Sequence, residues 1–136
     1  LKFFLAIVIV SMMANEYSYG TLMKQEILAK FAFGLSFIPE SSNIVTNKAR
    51  LENYKKYHVK DEFYPAIIYD EKSSVDGVLV YNLTKKNVEM LDEYEGDEYE
   101  RKILTVYDHN LKKNVKAECY VWIDAAGRLV DLDIEY

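Results

Sequence analysis

Short strand-like segments separated by turn residues dominate this chain, and they limit the folds that it can adopt. The segments are residues 17–19, 49–59, 64–69, 77–83, 103–107 and 115–123. Residues 37–47 and 72–76 are rich in turn-forming residues, and His109-Asn110 joins the last two segments as a hairpin. Short strands that outnumber the helices and close on themselves predict a small mixed, mainly antiparallel β-barrel.

Two helices are predicted beside these strands. Apolar residues recur near helical spacing over residues 23–33, and Gly34 is expected to end that helix. Thr84 can cap a second helix that runs from residue 85 to about residue 94. The expected fold class is therefore α+β, a barrel with flanking helices.

The totals describe one compact domain with a small-molecule partner. The chain has 136 residues, of which 50% are hydrophobic and 29% charged, and it shows no repeat or low-complexity tract. Its formal net charge is -5, which leaves no basic face for nucleic acid. Cys119 is the single cysteine and cannot form an internal disulfide, so we expect a cytoplasmic protein. The oligomeric state is not readable from the sequence.

The N-terminal residues form an apolar stretch with three competing interpretations. Residues 2–14 begin with a lysine and continue as an apolar run, as a secretory signal does, but the run is too short to span a bilayer. The stretch could equally be a buried element, or it could precede a true start at Met12 or Met13. We favour the last and treat residues 1–14 as an extension before a domain over residues 15–136. Stable membrane association is not expected.

Glu95 is the carboxylate that the helical pattern singles out. Val88, Leu91 and Glu95 follow at intervals of three and four and share the apolar face of the second predicted helix. Burial there would disfavour the charged form of Glu95 and raise its pKa toward the range that suits proton transfer. The competing interpretation assigns Glu95 to a solvated acidic corner over residues 92–100, since Gly96 could turn its side chain outward.

Other reactive residue types give no further site. The acidic run lacks the alternating oxygen ligands and the sixth-position glycine of a calcium loop. Cys119 alternates with apolar neighbours and is expected to point inward. His58 and His109 lie far apart, and nothing near them completes a zinc site or a catalytic triad. We therefore expect neither a metal nor a cofactor.

Five short signatures carry a resemblance to a known family. They are Tyr19-Gly20-Thr21-Leu22, Tyr64-Pro65-Ala66, Gly77-Val78-Leu79, the run from Leu91-Asp92-Glu93-Tyr94-Glu95-Gly96 to Arg101, and Tyr120-Val121-Trp122. In this order they resemble the γ-glutamylcyclotransferase-like family, which includes plant avirulence-induced proteins and γ-glutamylamine cyclotransferases. The resemblance covers most of the chain, and it implies a small β-barrel with flanking helices.

The resemblance also implies an activity and its residues. By similarity, Glu95 is the general acid/base, and the loop Tyr19-Gly20-Thr21-Leu22 holds the glutamyl moiety through backbone amides. The substrate's own α-amino group would attack its γ-carbonyl, so that 5-oxoproline and an amine are released and no enzyme nucleophile is needed. The implied partner is a small γ-glutamyl compound. The leaving amine is not specified by the sequence.

Two tyrosines and an arginine are expected to support this site. Tyr99 and Tyr120 are candidates for the cavity lining, with Tyr120 donating a hydrogen bond toward Glu95, although half-buried barrel tyrosines would show the same pattern. Arg101 is expected to pair with nearby carboxylates. A second hypothesis remains open, a ligand-binding or regulatory module that keeps the fold without turnover, because a fold does not fix a function.

Overall fold

The computed structural model describes residues 7–8, 29–40, 42–61 and 65–131. The strands are β1 (Ile7–Val8), β2 (Val45–Val59), β3 (Pro65–Tyr81), β4 (Tyr99–Asp108), β5 (Lys113–Trp122) and β6 (Leu129–Asp131). The helical elements are a π-helical turn (Ala29–Phe33), helix α1 (Lys85–Glu95) and a 3-10 turn (Ala126–Arg128). The predicted strand at residues 17–19 and the start of the predicted first helix lie outside the described residues.

The described strands form one mixed, mainly antiparallel sheet. Their order is β3-β1-β5-β4-β2-β6, with β2 also paired to β3. Only the β1–β5 pair is parallel among the described strands. The expected α+β class is confirmed, but the word barrel is a loose description of this sheet. The link between β2 and β4 consists of two residue pairs, and two residues of β1 are described, so the sheet that the described residues form does not close fully.

The predicted turn at residues 72–76 is wrong as a strand boundary. β3 runs continuously from Pro65 to Tyr81, so the two segments predicted on either side of this turn belong to one strand. The register with β2 shifts between Glu52 and Tyr54, and Asn53 takes a φ of 69° there. Asp70 Oδ1 accepts a hydrogen bond from the backbone N–H of Lys72. Residues 70–73, between the pairs Tyr54–Tyr69 and Glu52–Ser74, therefore form a bulge within a long hairpin.

Other boundaries follow the local signals more closely. Gly34, with a φ of 69°, ends the π-helical turn, and its N–H donates to the Lys30 carbonyl. The hairpin of β4 and β5 turns through His109-Asn110 as predicted. β2 begins at Val45, inside the stretch predicted as a loop, because residues 45–47 extend its pairing with β3.

Two apolar clusters lie on opposite faces of the sheet, since successive strand residues point to opposite sides. The first consists of Ala49, Leu51, Ile67, Val75, Leu79, Val106, Ala117, Cys119 and Val121. The second consists of Val59, Ala66, Val80, Leu83, Val88, Leu91, Tyr99, Tyr120 and Trp122. Cys119 is fully buried, as its alternation predicted. Because α1 contributes Val88 and Leu91 to the second cluster, this helix covers one face of the sheet.

Candidate active site

Local capping fixes both ends of the helix that carries Glu95. Thr84 Oγ1 accepts a 3.1 Å hydrogen bond from the backbone N–H of Asn87, whose side chain accepts from the Thr84 N–H at 3.0 Å. This reciprocal pair is a capping box, and it confirms the predicted cap. At the other end, the N–H of Gly96 donates to the Asp92 carbonyl, and Gly96 has a φ of 75°. Glu95 is thus the last helical residue, held in place by the glycine that follows it.

Glu95 faces the apolar cluster beneath α1. Its exposure is 6%, and it shares this buried face with Val88 and Leu91. Glu93 and Asp97, its acidic neighbours, are exposed. The solvated corner therefore describes the neighbours of Glu95 and not Glu95 itself. The orientation agrees with the helical periodicity, whereas the acid/base role stays a prediction.

A charged cluster lies beside Glu95, between α1 and the β4–β5 hairpin. Arg101 on β4 forms a bidentate pair with Asp92 of α1, with Nε 3.0 Å from Oδ1 and a second nitrogen 3.1 Å from Oδ2. Another nitrogen of the same guanidinium lies 2.9 Å from Glu118 Oε1 on β5. The expected pairing of Arg101 with nearby carboxylates is confirmed. Glu118, seventeen residues away, is the partner that the sequence did not indicate.

Tyr120 belongs to this cluster, but its hydrogen bond differs from the predicted one. Its hydroxyl donates to Asp92 Oδ1 at 2.6 Å and not to Glu95. The reason is the position of Asp92, one turn earlier on the same helix face, next to Arg101. Burial raises the pKa of Tyr120, as do its hydrogen bond to Asp92 and the charges of Asp92 and Glu95, while Arg101 opposes the shift. The phenol therefore stays protonated and acts as a donor.

Tyr99 lies in the packed cluster below Glu95. Its ring meets that of Trp122 edge to face, with 5.3 Å between the centroids. The Arg128 guanidinium stacks over Trp122 and pairs with Glu98 and Asp124. Tyr99 and Tyr120 are both buried, which fits a wall under the site. Contact of either residue with a substrate stays a prediction.

The predicted glutamyl-binding loop, Tyr19, Gly20, Thr21 and Leu22, lies outside the described residues. So does Tyr64 of the second signature. Within the described ranges, no group of three or more His, Cys, Asp or Glu side chains is placed to hold a metal ion. Each helix in the described part of the chain is too short or too polar to cross a membrane.

Comparison with known proteins identifies the family. The model of the family described as "Gamma-glutamyl cyclotransferase, AIG2-like" matches residues 17–134, which include Glu95 and the predicted binding loop. The chain belongs to this family. The family assignment made from the five signatures is thereby confirmed.

Relatives of this chain occur in Arabidopsis thaliana. AIG2-like protein B is 33% identical over 110 residues, which are 81% of this chain and 59% of the relative. AIG2-like protein A is 28% identical over 102 residues, which are 71% of this chain and 62% of the relative. The chain thus spans less than two thirds of the length of these curated relatives.

Solved structures share the fold. An Arabidopsis thaliana protein solved in solution superposes with a TM-score of 0.69 at 20% identity, covering 96% of this chain and 77% of that protein. A protein described as a γ-glutamyl cyclotransferase superposes with a TM-score of 0.61 at 13% identity. This second match covers 90% of this chain and 68% of that protein. At these identities the similarity shows the fold alone.

The sheet of this chain also has a groove that lies away from Glu95. A groove of about 450 Å³ lies near the β4–β5 turn, with Val45, Tyr81, Leu111 and Val115 in its walls. The ten residues of β4 place this turn about 30 Å from the end of the strand where Tyr99 lies. None of the predicted site residues that the structure describes lines this groove.

Proposed function

We propose that this chain is a γ-glutamyl cyclotransferase domain in which Glu95 serves as the general acid/base. The observation that carries the proposal is the burial of Glu95 at the end of α1, within a segment that the family model matches. An ionised carboxylate loses hydration on an apolar face, so it gains affinity for a proton. An acid/base group requires this property near neutral pH.

The proposed reaction is an intramolecular acyl transfer. Glu95 removes a proton from the substrate α-ammonium, whose ordinary pKa is about 8. The freed amine attacks the γ-carbonyl carbon and closes a five-membered lactam. The bond between that carbon and the leaving nitrogen breaks as the proton held by Glu95 passes to the departing amine, and the attacking nitrogen releases its second proton to solvent. The products are 5-oxoproline and a free amine, and no covalent enzyme intermediate forms.

Substrate binding and orientation would supply the part of the rate acceleration that proton transfer by Glu95 does not. The predicted loop Tyr19-Gly20-Thr21-Leu22 would hold the glutamyl moiety, and its backbone amides would donate to the tetrahedral oxyanion. Gly20 suits this role because glycine permits close backbone approach. Tyr120 would not replace Glu95 as a base, since its proton is committed to Asp92.

A ligand-binding module without turnover is the second candidate. It would retain the fold and the buried carboxylate but release no product. Family membership does not separate the two, because one fold hosts both kinds of protein. The two candidates are separated by whether the protein forms 5-oxoproline.

The experiment is a direct search for product. Purified protein is incubated with γ-glutamyl dipeptides, γ-glutamylamines and glutathione, and 5-oxoproline is followed by mass spectrometry. We expect release from at least one compound and a loss of about a hundredfold or more in Glu95→Gln. Glu93→Gln is the matched control, because Glu93 lies on the same helix but is exposed. Absence of product with every compound would favour the binding module, and equal activity in Glu95→Gln would remove the acid/base assignment.

A further inference from the structure

Asp92, Arg101 and Glu118 form a charged cluster beside Glu95. Asp92 and Glu95 come from α1, Arg101 from β4, and Glu118 from β5. The Tyr120 hydroxyl lies among them, and Lys30 is on the π-helical turn that packs against α1. Like charges placed close together raise one another's affinity for protons, so the charge balance of this cluster bears on the protonation of Glu95.

Arg101 pairs with both Asp92 and Glu118. Its guanidinium takes Asp92 in a bidentate pair and Glu118 through a further nitrogen at 2.9 Å. The side chains of Arg101 and Glu118 are 31% and 18% exposed, so solvent screens their pair only in part. A guanidinium remains charged at every pH of interest, which makes it a permanent counterion for both groups.

Glu118 depends on this pairing more than Asp92 does. In the described part of the chain, Glu118 Oε2 is buried and has no hydrogen-bond partner. A buried carboxylate oxygen that lacks a donor is costly, and the charge of Arg101 on the other oxygen is what offsets that cost. Loss of Arg101 would therefore leave the negative charge of Glu118 without a counterion.

Glu95 is within the electrostatic reach of this pairing. Asp92 precedes it by three residues on the same helix, so their side chains are neighbours. The Tyr120 hydroxyl, bonded to Asp92, also feels the charges of both Glu95 and Arg101. The Tyr120 hydroxyl thus lies within electrostatic reach of Asp92, Arg101 and Glu95.

We propose that Arg101 is a positioning residue that sets the charge balance around Glu95: by pairing with Asp92 and Glu118, it offsets two negative charges that would otherwise raise the affinity of Glu95 for a proton. This role rests on the proposed function of Glu95. It also assigns Glu118 to the site as the second anion that Arg101 balances.

The test measures Glu95 directly. The side-chain carboxyl carbons of glutamate are titrated by NMR, and the Glu95 signal is assigned by its absence in Glu95→Gln. In Arg101→Gln, two anions lose their counterion, so the pKa of Glu95 should rise by about half a unit or more. In Glu118→Gln, one anion is removed and Arg101 is retained, so the pKa of Glu95 should fall. Arg101→Lys keeps the charge and should return most of the wild-type value.

Shifts of the Glu95 pKa in opposite directions in Arg101→Gln and Glu118→Gln distinguish a change in charge balance from damage to the fold. Arg50→Gln is the control, because Arg50 forms an exposed pair with Asp76 on β3, and the Glu95 titration should not move in it. Equal titration in wild type and Arg101→Gln, or shifts of one sign in Arg101→Gln and Glu118→Gln, would overturn the proposal.

Turnover separates this inference from the function on which it rests. In an active protein, the acidic limb of the kcat/KM profile should move to higher pH in Arg101→Gln, because the base must lose its proton first. If wild type releases no 5-oxoproline, the proposed function fails, whereas the titration still reports whether Arg101 sets the protonation of Glu95.

Discussion

The hydroxyl of Tyr120 donates a 2.6 Å hydrogen bond to Asp92, one helical turn before Glu95. This bond joins β5 to α1 across the cluster under the helix, and the same Asp92 oxygen is 3.0 Å from Arg101 Nε. The orientation of the helix end therefore depends on polar contacts as well as on apolar packing.

Replacing Tyr120 by Phe should destabilise the protein by about 1 kcal/mol, since it removes a hydrogen bond to a charged group that Arg101 still partly satisfies. The free energy of unfolding in urea measures this change. Tyr107→Phe is the matched control, because Tyr107 is a half-buried β4 tyrosine that packs against His109. A loss in Tyr120→Phe no greater than in Tyr107→Phe would mean that the bond to Asp92 contributes nothing.

The start of α1 gives a second prediction. Thr84→Ala removes the acceptor for the Asn87 N–H and should lower the free energy of unfolding by about 1 kcal/mol. Thr84→Ser retains a hydroxyl and should stay close to wild type. Urea denaturation of the two variants decides between loss of the cap and loss of side-chain contacts. If both variants lose equal stability, the cap is not the cause.

The features that could be predicted from the sequence depend on neighbouring residues. α1 was predicted because Thr84 can cap its start and because apolar residues recur at helical spacing after it. The β4–β5 hairpin was predicted because His109-Asn110 separates two apolar segments. In both cases the signal and the structure lie within about a dozen residues, so pairing across the chain did not matter.

The remaining features require a register between distant segments. The bulge of β3 opposite Asn53 looks like a turn in the sequence, and only the pairing with β2 shows that the strand continues. Likewise, Tyr120 could be placed on the buried face, but its partner depends on how α1 lies over β5. A choice between Asp92 and Glu95, one turn apart, is not available from periodicity.

Asp108 should make stability depend on pH in the acid range. It is fully buried, and Oδ2 accepts from Asn47 Nδ2 at 2.8 Å and from the Tyr81 hydroxyl at 2.5 Å. Burial opposes its charge, yet these bonds, with those from the N–H groups of Leu111 and Asn110, hold the pKa of Asp108 below its ordinary value of 3.8. A carboxyl with a lowered folded-state pKa stabilises the protein above its unfolded-state pKa. That contribution is lost as the pH falls through the folded-state value.

The comparison of wild type with Asp108→Asn tests this dependence. Near neutral pH, Asp108→Asn should cost about 2 kcal/mol in the free energy of unfolding, because a neutral amide replaces a charged acceptor of four hydrogen bonds. The difference from wild type should shrink as the pH falls below about 4, where the unfolded-state aspartate begins to bind a proton. Urea denaturation at several pH values measures it, with Asp76→Asn as the control, because the Asp76 side chain is 71% exposed. A difference that stays constant from neutral to acid pH would show that Asp108 acts through packing and not through its charge.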